Sequence, residues 1–413
     1  MIDRRSVLKG TAGLAAVGAL GLPGAALAAR DDELNILCWE GYNTDEVLDP
    51  FRDMHSGAKV RAESGTSDPD MINKLRAGET KVWDLINVNQ PWAQHQLYPE
   101  GLIKPLDKAR FEPMFETMLP EFQGPYPLAL DASGKELIGM VQRFGPFSFV
   151  VNTDKISRKM AEDQGYKLFL DPAMKDRYGV LTYDNWNIMH MCMTGDINPF
   201  EPLNEAQFKT FETTAKAIFG GAKLLTDDLV AMNTALINGE IDAYFTGGTY
   251  TASPARFDGL SQVRGITPNS GPVGGKGGVV WVELTSVVAN PDPSALAEDF
   301  LEYVQTAEAS KKVAFAEGTY NPVSQMGRKD VMELFDSDEL DAIQWDSLNE
   351  EMARSVDYHI VSSDDKWSEI YNAARRGSAT GGAPSPRPTD QPERLSPGAA
   401  PRWNRRLFCV LTE

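Results

Sequence analysis

Leu34-Asn35-Ile36-Leu37-Cys38-Trp39, Ala58-Lys59-Val60-Arg61-Ala62-Glu63 and Val82-Trp83-Asp84-Leu85-Ile86-Asn87-Val88 are three strand-like runs, and what lies between them decides the fold. After the first comes a turn at Glu40-Gly41-Tyr42. Asn43 or Thr44 can then cap a helix whose apolar face is Val47, Leu48, Phe51 and Met54. After the second, Ser67 can cap another helix, with Pro69 in its first turn and Met71, Ile72 and Leu75 inside. The third run is nearly all apolar, as expected of a strand covered on both faces. Strand, helix, strand, helix, strand opens an α/β domain.

Farther along, 135–141 and 147–152 read as two strands meeting at a turn, Arg143-Phe144-Gly145-Pro146. A second α/β unit follows: a strand over 178–183, helices over 186–194, 205–219 and 227–238, and a strand over 241–245. The glycine-rich Gly274-Gly275-Lys276-Gly277-Gly278 leads into a strand over 279–289, so it is read as a turn and not a phosphate cradle. Helices then dominate. Two α/β blocks joined by extended segments predict two lobes and a chain that crosses between them more than once.

The ends of the chain read differently. Arg4-Arg5 precede a small-residue stretch rich in Gly and Ala, which closes on Ala26-Leu27-Ala28. A basic start, a weakly apolar middle and a small-x-small ending form an export signal, and the paired arginines make it a twin-arginine one. Cleavage is expected after Ala28, into the periplasm. From Gly377 onward six prolines and little apolar periodicity predict a disordered tail. The expected organisation is therefore signal 1–28, lobe one 29–148, lobe two 149–278, a return to lobe one over 279–376, and tail 377–413.

The formal charge of −19 speaks against nucleic acid and anionic lipid as partners. Three cysteines and four scattered histidines form no metal-binding spacing, so neither a cofactor nor a metal is expected. Gly-x-Ser-x-Gly, HExxH and Walker A patterns are absent, and with them the usual catalytic signatures.

What remains is aromatic and acidic. Trp39 and Tyr42 flank the turn after the first strand. Trp281 and Glu283 lie two apart on a strand, hence on one face. An indole beside a carboxylate suits an alkylammonium: the ring attracts the cation and the acid takes its N–H groups.

Asn35-Ile36-Leu37-Cys38-Trp39-Glu40-Gly41-Tyr42, Trp83-Asp84-Leu85-Ile86, Phe144-Gly145 with Val151-Asn152, Leu181-Thr182-Tyr183-Asp184, Gly239-Glu240-Ile241-Asp242, Trp281-Val282-Glu283 and Gly318-Thr319-Tyr320-Asn321-Pro322 occur in this order. Together they resemble the spermidine/putrescine-type periplasmic solute-binding proteins of ABC importers. The resemblance implies a type II periplasmic binding protein fold, two α/β lobes with hinge crossovers and a ligand cleft between them. It implies no enzyme, a monomer, a small cationic ligand and an inner-membrane ABC permease as partner. The ligand contacts it implies are Trp39, Tyr42, Asn89, Phe144, Asp184, Trp281, Glu283 and Tyr320. Three departures bear on the ligand: Asn187 stands where a second acid is expected, Gly247 where a Trp is expected, and Glu283 replaces Asp. They leave open a different metabolite on the same fold, such as an amino acid or a phosphonate. A twin-arginine-exported enzyme is the remaining alternative.

Overall fold

A computed structural model describes residues 30–316, 318–361 and 365–379. The signal and the tail beyond Ala379 lie outside the described residues.

Ten strands carry the architecture: β1 (Glu33–Cys38), β2 (Lys59–Ser64), β3 (Leu85–Asn89), β4 (Ile103–Lys104), β5 (Met140–Asn152), β6 (Tyr178–Leu181), β7 (Leu224–Thr226), β8 (Ala243–Gly248), β9 (Val263–Ile266) and β10 (Gly278–Val288). The main path of the sheet runs β2-β1-β3-β10-β5-β8-β6-β7. The β2-β1-β3 end is parallel and so is the β8-β6-β7 end. These are the sheets of the two α/β lobes. Between them stand β10 and β5, antiparallel to each other and to the lobe strand each adjoins. Both are long and buried at every position, which is why they read as apolar runs.

The helices form where the apolar spacing places them. Asp45–Met54 buries Val47, Leu48 and Phe51 and carries Asp45 and Glu46 in its first turn, where acids suit the helix dipole. The Ser67 hydroxyl accepts the Asp70 N–H at 3.2 Å and caps Asp68–Arg76; such a cap contributes about 1 kcal/mol. In the second lobe Glu205–Gly221 starts on a reciprocal Asn204–Gln207 capping box.

The structure corrects the expected turn at Arg143–Pro146. β5 runs straight through it as one strand of 13 residues. The missing N–H of Pro146 does not break the strand, because β10 continues alongside.

The chain after β10 divides between the lobes. Ala297–Tyr303 and Ala307–Ala314 follow lobe one, with Tyr303 and Phe300 against Phe51 at 5.5 and 5.1 Å. Asp365–Ala379 instead packs on Glu205–Gly221 of lobe two, Trp367 on Phe211 at 4.9 Å and Tyr371 on Phe219 at 5.2 Å. This last helix extends three residues past Arg376, where the tail was expected to begin.

Candidate functional site: a buried ion pair beside converging rings

Two strand irregularities lie near where the two lobe sheets meet, one on the crossing strand β5 and one on its neighbour β8. On β5, Phe144 pairs with Val282 and Val141 with Leu284, so Gln142 and Arg143 together oppose Glu283. This is a bulge, one extra residue on β5, and a bulge re-aims a side chain. Arg143 is turned onto Glu283. Its Nε and Nη2 donate to the two carboxylate oxygens at 2.8 Å each. Nη2 also donates to the Glu40 carbonyl at 2.8 Å, and the Tyr42 hydroxyl donates to Glu283 Oε2 at 2.8 Å. The guanidinium lies 4.8 Å from the centre of the Tyr42 ring. Arg143 and Glu283 are 4 and 5% exposed, so this is an ion pair sealed from water. Burial pushes the Glu283 carboxyl above its usual range, and Arg143 pulls it back. Burial alone would lower the Arg143 guanidinium, but the charge of Glu283 holds it above its ordinary value.

The second bulge is on β8. Ser148 pairs with Gly247 and Phe149 with Phe245, so Thr246 is the extra residue. It has φ +64°, an unfavourable conformation for a β-branched side chain. Its hydroxyl lies 3.1 Å from Nδ1 of the buried His190, which helps hold it there. Gly248 then touches β5: a Cβ there would come within 2.5 Å of the Pro146 carbonyl oxygen, so no larger residue fits. These two features aim Thr249-Tyr250, the start of helix Thr249–Phe257, at the crossing strands. Tyr250 meets Trp281 edge-on at 6.4 Å and Phe147 at 6.4 Å. Phe147 meets Trp186 at 4.7 Å, and Trp186 meets Tyr358 at 4.9 Å. Second-lobe rings thus converge on rings of the crossing strand β10 and of the return segment.

The acids in this region differ in how they are held. Burial pushes the Tyr250 phenol well above its ordinary value, and the neighbouring Tyr183 and Glu40 push it further; Glu40 of lobe one is thus within electrostatic reach of lobe two. No ion pair neutralises Glu40 among the described residues. Asp68 is buried, accepts from Asn89 N and Nδ2 at 2.9 and 2.8 Å, and also has no cation partner among the described residues. Burial raises its pKa to about 6, and the charge of Glu283 adds to that. Asn89 sits directly across from Glu283 on the sheet.

The expected contacts therefore separate. Tyr42, Asn89 and Glu283 come together in one polar cluster, with Trp281 two residues from Glu283. Trp39 is half-buried, and its indole Nε1 has no acceptor among the described residues. The other three lie elsewhere. Phe144 is sealed in the lobe-one core, edge-on to Phe122 at 4.8 Å. Asp184 is exposed and faces Arg375 at 3.5 Å. Tyr320 packs on Phe257 and Phe315 at 4.5 and 4.6 Å. The residues that sequence reasoning did not select are Arg143, Asp68, Glu40, Phe147, Trp186, Tyr250 and Tyr358. Arg143 left a signal, a lone cation inside an apolar strand, which must find an acid. Two open cavities of about 560 and 390 Å³ lie away from this cluster, one beside Glu116, Met118 and Lys329, the other beside Met114, Gln305 and Leu334.

Residues 1–21 match the TAT (twin-arginine translocation) pathway signal sequence family, so the chain carries a twin-arginine export signal. No curated protein matches the chain. Solved structures do. The spermidine/putrescine ABC transporter substrate-binding protein PotD from Streptococcus pneumoniae is similar at 15% identity and a TM-score of 0.59, over 85% of this chain and 99% of that one. The Tp0655 (TpPotD) lipoprotein of Treponema pallidum is similar at 13% identity and a TM-score of 0.61, over 84% and 99%. The PBP AgtB from A. tumefaciens R10, solved with agropinic acid, is similar at 17% identity and a TM-score of 0.51, over 84% and 98%. At these identities the likeness is one of architecture: the chain has the two-lobed α/β type II fold of the periplasmic binding proteins.

Proposed function

We propose that this protein is the periplasmic substrate-binding component of an ABC importer, and that it captures a small organic cation by closing its two lobes. The observation that carries the reading is the convergence of rings on the crossing strands β5 and β10, with Glu40 and Asp68, which form no ion pair among the described residues, beside them. Ring faces attract a cation, and two acids without an ion-pair partner among the described residues make the region net negative. The crossing strands β5 and β10 provide the hinge, so that closure needs no covalent chemistry. The closed form is then presented to a membrane permease. PotD of S. pneumoniae, a spermidine/putrescine ABC transporter substrate-binding protein, supports the cationic ligand; AgtB, of the same architecture, was solved with agropinic acid.

An amino acid or phosphonate ligand would call for a free basic group in the cleft. Arg143, whose guanidinium lies over the Tyr42 ring, is held by both oxygens of Glu283, and the His190 imidazole beside Phe147 and Trp186 is held neutral by burial, which lowers its pKa to about 3. That favours the cation.

Native mass spectrometry of gently purified mature protein is the test. A co-purifying basic small molecule is the expected result. Folded, ligand-free protein that binds no organic cation by calorimetry at millimolar concentration overturns the reading.

A further inference from the structure

Tyr42 and Glu283 form a cup for a positive charge. The carboxylate offers two oxygens at 2.8 Å, the ring offers its face at 4.8 Å, and the cup is closed to water. An alkylammonium or guanidinium group of a ligand would be recognised by this same chemistry. The cup is already filled, by a side chain of the protein itself. The extra residue on β5 opposite Glu283 puts Arg143 there, and the Glu40 carbonyl fixes its third N–H contact.

We infer that Arg143 is a specificity-determining residue, an internal occupant of a cation subsite, which leaves the cleft room for a ligand with one cationic end and rejects linear diamines. This rests on the proposed reading of the cleft as a site for organic cations. A diamine held between the lobes needs an acid for each ammonium. One of those acids, Glu283, already accepts two hydrogen bonds from Arg143 and one from Tyr42, and dislodging Arg143 would leave a guanidinium buried without a counter-charge. An ammonium can still approach Glu40, which has no such occupant; Asp68 is buried and already accepts two hydrogen bonds from Asn89.

The experiment uses the mature chain, its Arg143→Ala variant and the Arg143→Ala/Glu283→Gln double variant, with methylguanidinium, putrescine and n-butylammonium as probes. Thermal melts read the emptied cup directly, because a ligand raises the melting temperature in proportion to RT ln(1 + [L]/Kd). Methylguanidinium should raise the melting temperature of Arg143→Ala by several degrees more than those of the parent and the double variant. If Arg143→Ala does not fold alone, folding that appears only with methylguanidinium supports the inference. No methylguanidinium effect in either form overturns it. By calorimetry the parent should bind putrescine no more tightly than n-butylammonium, and Arg143→Ala should gain about tenfold for putrescine alone. A parent that prefers putrescine by about tenfold or more overturns the inference and leaves solute capture standing. A parent that binds neither amine counts against the organic-cation reading, and the methylguanidinium melt still decides whether the cup exists.

Discussion

Glu283→Gln reports on the centre of the cleft through the sign of its effect. If Glu283 were a ligand carboxylate waiting in a dry cleft, it would be a buried charge without a partner. Neutralising it would then stabilise the ligand-free protein. The structure gives the opposite expectation. Glu283 accepts two bonds from Arg143 and one from Tyr42, and Arg143 cannot shed its proton. The glutamine keeps one acceptor oxygen and turns an amide N–H₂ toward a guanidinium, so one of the two Arg143 bonds becomes donor against donor. Breaking a buried pair in this way costs about 3–5 kcal/mol. Relief of the repulsion between Glu283 and Asp68 returns a small part of that. At an m-value of about 3 kcal/mol/M, the urea midpoint should fall by about 1 M or more. Replacing both partners at once, as Arg143→Met/Glu283→Leu, should recover most of the loss, because an apolar pair of similar volume leaves no charge behind. The assay is urea unfolding of the mature protein followed by tryptophan fluorescence. A Glu283→Gln midpoint equal to or above that of the parent would refute the buried pair, and with it the account of the cleft given above.

Asp68 gives the pH dependence. Its folded pKa, about 6, lies above its ordinary value of 3.8, so between those values the folded state holds a proton that the unfolded state has lost. Its contribution therefore falls as pH rises from about 4 to about 6, by roughly 3 kcal/mol at most. Asp68→Asn should flatten the decline in melting temperature over that window, and an unchanged profile would remove Asp68 as its cause. Cation affinity should run the other way and weaken below pH 6 as Asp68 is protonated, which calorimetry at pH 5 and pH 7.5 measures. Gly248→Ala forces a methyl group into the Pro146 carbonyl and should cost about 2 kcal/mol or more, read by denaturant unfolding; a loss under about 0.5 kcal/mol would show that β8 can move aside. Replacing Arg4 and Arg5 together by lysine should hold the precursor in the cytoplasm, checked by fractionation and immunoblot, and a full periplasmic signal would mean that the pair is not what the export machinery reads.

The periodicity of the chain was enough for the architecture, because parallel strands buried on both faces and helices with one apolar face leave a pattern that survives without neighbours. Val47, Leu48 and Phe51 marked one helix, Ser67 capped the next, and the run from Val82 to Val88 marked a central strand, observed over Leu85–Asn89. The paired arginines marked export for the same reason, since such a signal is read as a linear string. The crossing segment was less legible. Gly145-Pro146 carries the composition of a turn, yet β5 passes through it, because β10 alongside continues to pair with it. Local composition cannot register a partner strand from far along the chain.

The site was decided by tertiary structure almost entirely. Trp281 and Glu283 could be placed on one face by alternation, but nothing local shows that a bulge 140 residues earlier in the chain delivers Arg143 to Glu283. Asp184 looked like a ligand acid and faces Arg375 from the final helix; Phe144 looked like a pocket wall and fills a core. Asp68 stands in the first turn of its helix, as many acids do, and its burial, with the charge of Glu283 adding to it, gives it an unusual pKa. The sequence by itself determined where two apolar-faced layers would form and where the chain is sent. Which charges end up paired, and which stand open beside the rings, depends on burial and on contacts between distant segments, and those exist only once the sheet has closed.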